Sequence, residues 1–175
     1  MITLRKIFEV IDYINQHLSN LASLLFVPMT LIAVYEVIMR YLFNRPTIWA
    51  WDVNVQLFAV IVVFGAGNTL LQKGHVVMDI FILRLSEKKR LIINMAVYIV
   101  FIATMAIVVW QCGIFARRSI EIGERTSTLL SPPIYPLKTG IFIGVALFWL
   151  QAISLFIKDM AEFAETSRKE KLDDR

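Results

Sequence analysis

The sequence predicts an all-α integral membrane protein with four transmembrane helices and both termini in the cytoplasm. Of its 175 residues, 58% are hydrophobic and 18% are charged, whereas soluble domains have about 25% charged residues. Four long stretches are uncharged, and each is roughly long enough to cross the membrane, because a helix needs about 20 residues to cross a hydrocarbon core of about 30 Å. We therefore expect a single membrane domain over residues 1–175, without a separate soluble domain.

The first element is expected to begin as an amphipathic helix ahead of the first span. Apolar residues recur every three or four positions from Leu4 to Leu21, with charged and amide side chains between them. This pattern is typical of a helix that lies at an interface or extends a span into water. The first span covers about residues 18–43, and Pro28 should bend it, because proline removes a backbone donor and crowds the preceding turn.

A short turn after the first span allows the first two helices to pack as an antiparallel hairpin. It contains Asn44-Arg45-Pro46-Thr47, and Thr47 is the expected N-terminal cap of the second helix. The second span covers about residues 49–72. After it, we expect Met78–Leu85 to form a short interfacial helix, because this segment is too charged to span and too apolar for a free loop.

The third and fourth spans cover about residues 91–116 and 137–158, and a charged tail follows over residues 159–175. Twelve of the eighteen Lys and Arg residues lie in the N-terminal segment, the connection between spans two and three, and the tail. Because cytoplasmic loops are enriched in these residues, all three segments are predicted to face the cytoplasm. The residues expected at that interface are His75, Asp79, Lys88, Lys89 and Arg90.

Charged residues within or beside the first two spans are the main candidates for a functional site. Glu36 and Arg40 are spaced i, i+4, and Asp52 begins the second span across the hairpin. Charges at membrane depth are costly, so they are usually paired or functional. Two interpretations remain open: Glu36, Arg40 and Asp52 form a structural ion-pair cluster, or they contact a partner directly.

The sequence contains no residues in a catalytic pattern and no metal or cofactor site. It lacks a phosphate loop and a nucleophile–base pair, and its single cysteine, Cys112, excludes an intrachain disulfide. Basic residues are distributed by membrane side rather than clustered, so nucleic acid is not an expected partner. His17 and His75 leave open a haem-binding membrane anchor of a respiratory enzyme. A small homodimeric exporter with Glu36 as its proton site is the other alternative.

Several short motifs follow one another between Glu36 and about Leu150. They are Glu36-x-x-x-Arg40-Tyr41-x-Phe43-Asn44, Trp49-Ala50-Trp51-Asp52, Gly65-Ala66-Gly67, Lys73-Gly74-His75-Val76-Val77-Met78-Asp79, and Gly123-x-x-Thr126-x-Thr128-Leu129 followed by Pro132-Pro133 and Pro136. In this order they resemble the small, four-helix (Q-type) membrane subunit of tripartite ATP-independent periplasmic (TRAP) transporters. The chain departs from the family at Trp51, where a second acidic or small polar residue is more common.

The resemblance implies a subunit of a secondary transporter in the bacterial inner membrane, coupled to a cation, with Na⁺ expected. Its substrates would be carboxylates such as sialic acid or C4-dicarboxylates. Besides lipid, it implies two partners: a large elevator-type membrane subunit, for which this chain is the scaffold in a heterodimer, and a periplasmic substrate-binding protein. The candidates for docking that protein are the charged residues of the outer connections: Arg45, Arg117, Arg118, Glu121, Glu124, Arg125 and Lys138.

Overall fold

The structure is a bundle of long antiparallel helices. A computed structural model describes residues 2–72 and 87–173. The helices are α1 (Ile2–Leu24), α2 (Phe26–Tyr41), α3 (Ala50–Leu71), α4 (Glu87–Glu121) and α5 (Tyr135–Asp173). The interfacial helix predicted over Met78–Leu85 lies outside the described residues, as do His75 and Asp79.

Four helical stretches among the described residues are long and apolar enough to cross a membrane. They are Phe8–Tyr41, which joins α1 and α2, Ala50–Leu71, Met95–Glu121 and Tyr135–Ala161. The all-helical fold with four spanning segments, predicted from the composition, is thereby confirmed. Both α4 and α5 run past the predicted spans, and α5 continues as one helix into the charged tail.

The first span is interrupted between α1 and α2, shortly before Pro28. Leu25 separates the two helices, and its N–H donates to the carbonyl of Ala22 at 3.0 Å, three residues back instead of four. Pro28 has no N–H to offer the carbonyl of Leu24, and its ring crowds that oxygen. The interruption therefore lies within one turn of the residue at which the sequence predicts a bend.

The centre of the bundle is formed by α3 and α5. α3 packs against α1, α2 and α5, whereas α4 packs chiefly against α5. Gly144 of α5 lies so close to α3 that a Cβ atom there would overlap Val63 Cγ1. Small residues of this kind allow close helix approach in membranes, where packing rather than the hydrophobic effect drives association.

The buried apolar core joins α3, α4 and α5. Its buried members are Leu70, Tyr98, Ala152 and Leu155. Next to it, Trp149 Nε1 of α5 donates a hydrogen bond to the carbonyl of Ile102 in α4 at 3.0 Å. Because water is absent from the bilayer core, an indole N–H within a span needs such a partner from the protein.

The two ends of the bundle carry different connections. At the end that we call the hairpin end, residues 42–49 connect α2 to α3 and residues 122–134 connect α4 to α5. At the opposite end, called the terminal end, α1 begins, α3 ends, α4 begins and α5 runs on beyond the bundle. Polar side chains gather at both ends.

Candidate functional site

At the hairpin end, Glu36 holds the 42–49 connection against α2. Its Oε1 accepts hydrogen bonds from Arg40 Nε at 3.0 Å and Arg40 Nη2 at 2.5 Å. Its Oε2 accepts from the backbone N–H of Thr47 at 3.0 Å and also from the Thr47 hydroxyl. The Glu36 side chain is 15% exposed, against 54% for Arg40. Both carboxylate oxygens therefore have partners within the chain.

The predicted role of Thr47 as the cap of α3 is wrong. Trp49 occupies the capping position and makes no capping hydrogen bond through its side chain, while Thr47 bonds to Glu36 instead. The 42–49 connection reverses at Asn44, whose φ of 52° lies in the left-handed region that asparagine tolerates better than most residues. Arg45, a predicted docking residue, is exposed just beyond this reversal.

Asp52 takes a partner that its spacing from Glu36 and Arg40 does not indicate. It is 6% exposed, and its Oδ2 accepts a hydrogen bond from Thr128 Oγ1 at 2.6 Å. It also lies in the first turn of α3, where a carboxylate interacts favourably with the helix dipole. The structure thus brings Glu36 and Arg40 together and ties Asp52 to the distant 122–134 connection.

The 122–134 connection, which we call the apical loop, begins with a specific helix ending. Gly123 has a φ of 57°, and its N–H donates to the carbonyl of Ile120 at 3.1 Å. The N–H of Glu124 donates to the carbonyl of Ser119 at 3.0 Å. Together these bonds form a Schellman motif, which ends α4 and turns the chain sharply.

Backbone pairing then closes the apical loop on itself. Arg125 and Pro133 form an antiparallel bridge, and the N–H of Thr126 donates to the carbonyl of Pro132 at 3.0 Å. Thr128 lies between these paired segments and reaches α3. The loop is therefore a folded unit fixed on the end of the bundle.

An ion pair joins the apical loop to α5. Lys138 Nζ lies 2.6 Å from Glu124 Oε2, and both side chains are about one third exposed. The Lys138 ammonium holds the pKa of Glu124 below its ordinary value of 4.5. Arg117 and Glu121 form a second pair at 2.8 Å, but both side chains are mostly exposed, and such surface pairs contribute little to stability.

At the terminal end, the structure contains a polar network, buried at Asn15 and Gln151, that sequence reasoning misses. Asn15 Nδ2 donates to Gln151 Oε1 at 2.8 Å, and Gln151 Nε2 donates to Asp12 Oδ1 at 2.8 Å. Lys158 Nζ donates to Asp12 Oδ2 at 2.6 Å. Gly67 of α3 lies against Asn15, because a Cβ atom there would overlap the amide. The network joins α1, α3 and α5.

The sequence does indicate which residues of this network share a helix face. Asp12 and Asn15 are three residues apart, and Gln151 and Lys158 are seven apart, so each pair shares one helix face. Nothing in the sequence, however, indicates that these two faces meet.

Of the two histidines considered as haem ligands, the structure describes only His17. His17 stacks on Tyr13 with ring centroids 5.4 Å apart, and His75 lies outside the described residues. Among the residues that the structure describes, no three His, Cys, Asp or Glu side chains form a group that could hold a metal ion. The side chains of Lys88, Lys89 and Arg90 also lie outside the description.

The family of the chain follows from a comparison with known protein families. A family model described as tripartite ATP-independent periplasmic transporters, DctQ component, matches residues 29–162. The chain belongs to the DctQ family. This DctQ protein is therefore the small subunit of a TRAP transporter and a multi-pass membrane protein, which confirms the resemblance seen in its motifs. The comparison with curated proteins gives no significant match.

The matched region of the DctQ protein includes the contact of Glu36 with Thr47 and the contact of Asp52 with Thr128. Glu36, Asp52 and the apical loop all lie within residues 29–162. The terminal-end network lies only partly within it, because Asp12 and Asn15 precede the first matched residue.

Proposed function

We propose that the chain is the scaffold subunit of a cation-coupled TRAP transporter for carboxylates, with Na⁺ as the coupling ion and sialic acid or C4-dicarboxylates as the class of substrate. It resides in the bacterial inner membrane with both termini in the cytoplasm, so that the hairpin end faces the periplasm. There it forms a heterodimer with a large elevator-type subunit and helps to dock the periplasmic binding protein. Substrate class and coupling ion rest on the family resemblance.

The exposed apolar flanks of the bundle are the observation that carries the scaffold role. In the spans Phe8–Tyr41 and Met95–Glu121, the chain buries only 6% of an apolar stretch of 18 residues. The corresponding share for Tyr135–Ala161 is 28%. None of the residues of α2 is buried. On α4, an open apolar groove is lined by Ala96, Val97, Val100, Phe101 and Thr104. Two flanks of this kind offer surface for the helices of a larger subunit as well as for lipid.

The internal use of polar groups supports the same role. Both oxygens of Glu36 are bound by Arg40 and Thr47, and the amide of Gln151 bonds to Asn15 and Asp12. Groups engaged in this way hold helices together and are not available to a passing ion or substrate. The transport sites are accordingly assigned to the large subunit.

The proposal is tested by co-expressing the chain with the large subunit and the binding protein of the same system. We expect the two membrane subunits to co-purify, and we expect uptake of a carboxylate into proteoliposomes to need all three proteins and a Na⁺ gradient. Full transport by the large subunit and the binding protein alone contradicts the scaffold role. Uptake driven by a proton gradient without Na⁺ contradicts the proposal that Na⁺ is the coupling ion. A Soret band in the purified complex favours the alternative of a haem-binding membrane anchor.

A further inference from the structure

We propose that the apical loop is the contact through which this chain binds the soluble periplasmic binding protein, with Leu129 as its apolar anchor and basic side chains around it that meet an acidic surface of that protein. This inference rests on the proposed function, and it identifies the element and the residues that carry out the docking.

Leu129 is exposed to an unusual degree. At 89%, it is the most exposed of the large hydrophobic side chains that the structure describes. Leu130 beside it is 41% exposed. Unlike the exposed apolar residues of α2 and α4, these two lie on a connection between spans and outside the four spanning stretches. Lipid tails therefore do not explain their exposure.

The chain on both sides of Leu129 is held in place. Thr128 donates to Asp52 at 2.6 Å, and its carbonyl accepts the N–H of Ser131 at 3.0 Å. The Ser131 hydroxyl donates to the carbonyl of Thr126 at 3.2 Å. A side chain presented on a turn that is already ordered loses less conformational entropy when a partner binds.

The position of the loop selects a soluble partner. Thr128 reaches the first turn of α3, and α3 is a central helix that packs against α1, α2 and α5. The apical loop therefore crosses the end of the bundle rather than its lipid-facing perimeter. The large subunit is expected along the flanks formed by α2 and α4, whereas a protein that approaches from the periplasm meets the end of the bundle.

The charge of the hairpin end favours an acidic partner. Residues 36–52 and 117–138 contain six basic and four acidic side chains. The acidic ones are already engaged: Glu36 by Arg40, Asp52 by Thr128, Glu121 by Arg117 and Glu124 by Lys138. Arg118 beside the loop and Arg125 within it have no acidic partner among these four and are exposed, although Arg125 Nη1 also donates to the carbonyl of Ser131 at 3.1 Å. Complementary charge of this kind speeds encounter and orients the partner.

The test compares two serine variants in the complex of this chain with the large subunit, reconstituted in lipid nanodiscs. Leu129→Ser changes the tip of the apical loop, and Leu42→Ser is the matched control, because Leu42 is 73% exposed on the other connection. We expect Leu129→Ser to weaken the affinity of the fluorescently labelled binding protein by about tenfold or more, as expected for the loss of a buried leucine contact. Leu42→Ser should leave it within about twofold of wild type, a change too small for a hot-spot residue.

The outcomes separate this inference from the proposed function. If wild type and Leu129→Ser bind the binding protein equally, the inference is wrong while the scaffold role stands. If Leu129→Ser loses the large subunit on purification, the loop belongs to that interface and the inference is again wrong. If the wild-type chain does not associate with a large subunit at all, the proposed function itself fails.

A second measurement does not depend on loss of binding. In a chain with Cys112→Ser and Leu129→Cys, a polarity-sensitive fluorophore is attached to the loop tip of the assembled complex. We expect its emission to shift to shorter wavelength when the binding protein is added. No shift at saturating binding protein, or an emission that already reports a lipid environment in nanodiscs without it, overturns the inference.

Discussion

At the scale of single residues, the carboxylates of the hairpin end link parts of the chain that are far apart in sequence. Glu36 joins α2 to Thr47 eleven residues later, and Asp52 joins α3 to Thr128 across 76 residues. Hydrogen bonds to ionised groups are stronger than those between neutral groups. We therefore expect the main effect of these two residues to be on the stability of the 42–49 connection and the apical loop. Their effect on the helices α2 and α3, in which they lie, should be smaller.

Replacement of Glu36 by leucine should lower the thermal stability of the purified chain. The change leaves both the Arg40 guanidinium and the Thr47 hydroxyl without the carboxylate, so its effect should exceed that of Thr47→Val, which removes one hydroxyl. Thr30→Val is the control, because that hydroxyl bonds only to the carbonyl of Phe26 within α2. The measurement is the unfolding midpoint in detergent, followed by tryptophan fluorescence. Equal midpoints for Glu36→Leu and Thr30→Val contradict the role given to Glu36.

Acidification should loosen the apical loop through Glu124. Its pKa lies below 4.5 because of Lys138, so the ion pair is fully present above about pH 4.5 and is lost as the pH falls through the lowered value. Lys138→Gln removes the ion pair itself and the largest cause of the lowered pKa, so the loop should already be looser at neutral pH and should change less on acidification. The measurement is the anisotropy of a fluorophore on Ser127→Cys, in a chain with Cys112→Ser.

The pair formed by Arg117 and Glu121 supplies the control for this titration. Arg117→Gln breaks an ion pair of the same end whose members are mostly exposed and do not belong to the contact between loop and α5. The curve of anisotropy against pH for Arg117→Gln should match the curve of the labelled chain without this substitution. If the Lys138→Gln curve matches it as well, the contact between Glu124 and Lys138 does not hold the loop.

At the scale of helices, close packing in this bundle depends on particular glycines. Gly67 and Gly144 are each in contact with a neighbouring helix that leaves no room for a Cβ atom, whereas Gly65 and Gly140 have nothing within 4 Å of that position. The same residue type therefore has different roles within two turns of one helix. The two open glycines serve as matched controls for the two crowded ones.

Gly67→Ala should destabilise the chain by about 1–3 kcal/mol, the usual cost of forcing extra atoms into a packed site. The methyl group overlaps the Asn15 amide, which is held by Gln151 and cannot move without breaking that bond. Gly65→Ala should be neutral or stabilise the helix by up to about 1 kcal/mol, because alanine is the better helix former. The free energy of unfolding of both variants is measured in mixed micelles with a denaturing detergent. Equal losses of stability in Gly67→Ala and Gly65→Ala contradict the close contact of α1 with α3.

The terminal-end network should stabilise the contact of α1 with α5. Gln151→Leu leaves Asn15 and Asp12 without one partner each, and we expect a loss of about 1–2 kcal/mol, since interhelical hydrogen bonds in membranes are of that order or less. Gln111→Leu on the exposed side of α4 is the matched control and should have little effect. The same unfolding measurement applies. An unchanged stability of Gln151→Leu shows that the network does not contribute.

At the scale of the whole molecule, the arrangement of the helices leaves two flanks apolar and concentrates polar contacts at the ends. The flanks are available to lipid and to a larger membrane subunit, and the hairpin end carries the folded apical loop. This division suits the scaffold role proposed above, between a large membrane subunit and a soluble binding protein. It requires the hairpin end to face the periplasm.

Labelling of single cysteines from outside the cell tests this orientation. In a chain with Cys112→Ser, Ser127→Cys on the apical loop should react with a membrane-impermeant maleimide applied to spheroplasts. Ser167→Cys in the charged tail should react only after the membrane is permeabilised. The reverse pattern contradicts the predicted topology, which rests on the distribution of Lys and Arg.

The sequence by itself determined the features that follow from composition and local order. Apolar length predicts the four spanning helices, Pro28 predicts a bend close to where the first span is interrupted, and the motifs predict the family. In each case the physical cause lies within a few residues of its effect, either as hydrophobic length or as a missing backbone donor.

Only the tertiary structure decided which polar groups meet. Spacing joins Glu36 to Arg40, but the partners of Asp52 and Gln151 lie on distant segments, at Thr128 and Asn15. In a soluble protein, a polar face indicates which side of a helix meets water. In a bilayer, lipid is as apolar as the interior of the bundle, so the pattern does not show which faces pack. A buried polar group there is costly without a partner, and the packing of the helices decides which partner it can find.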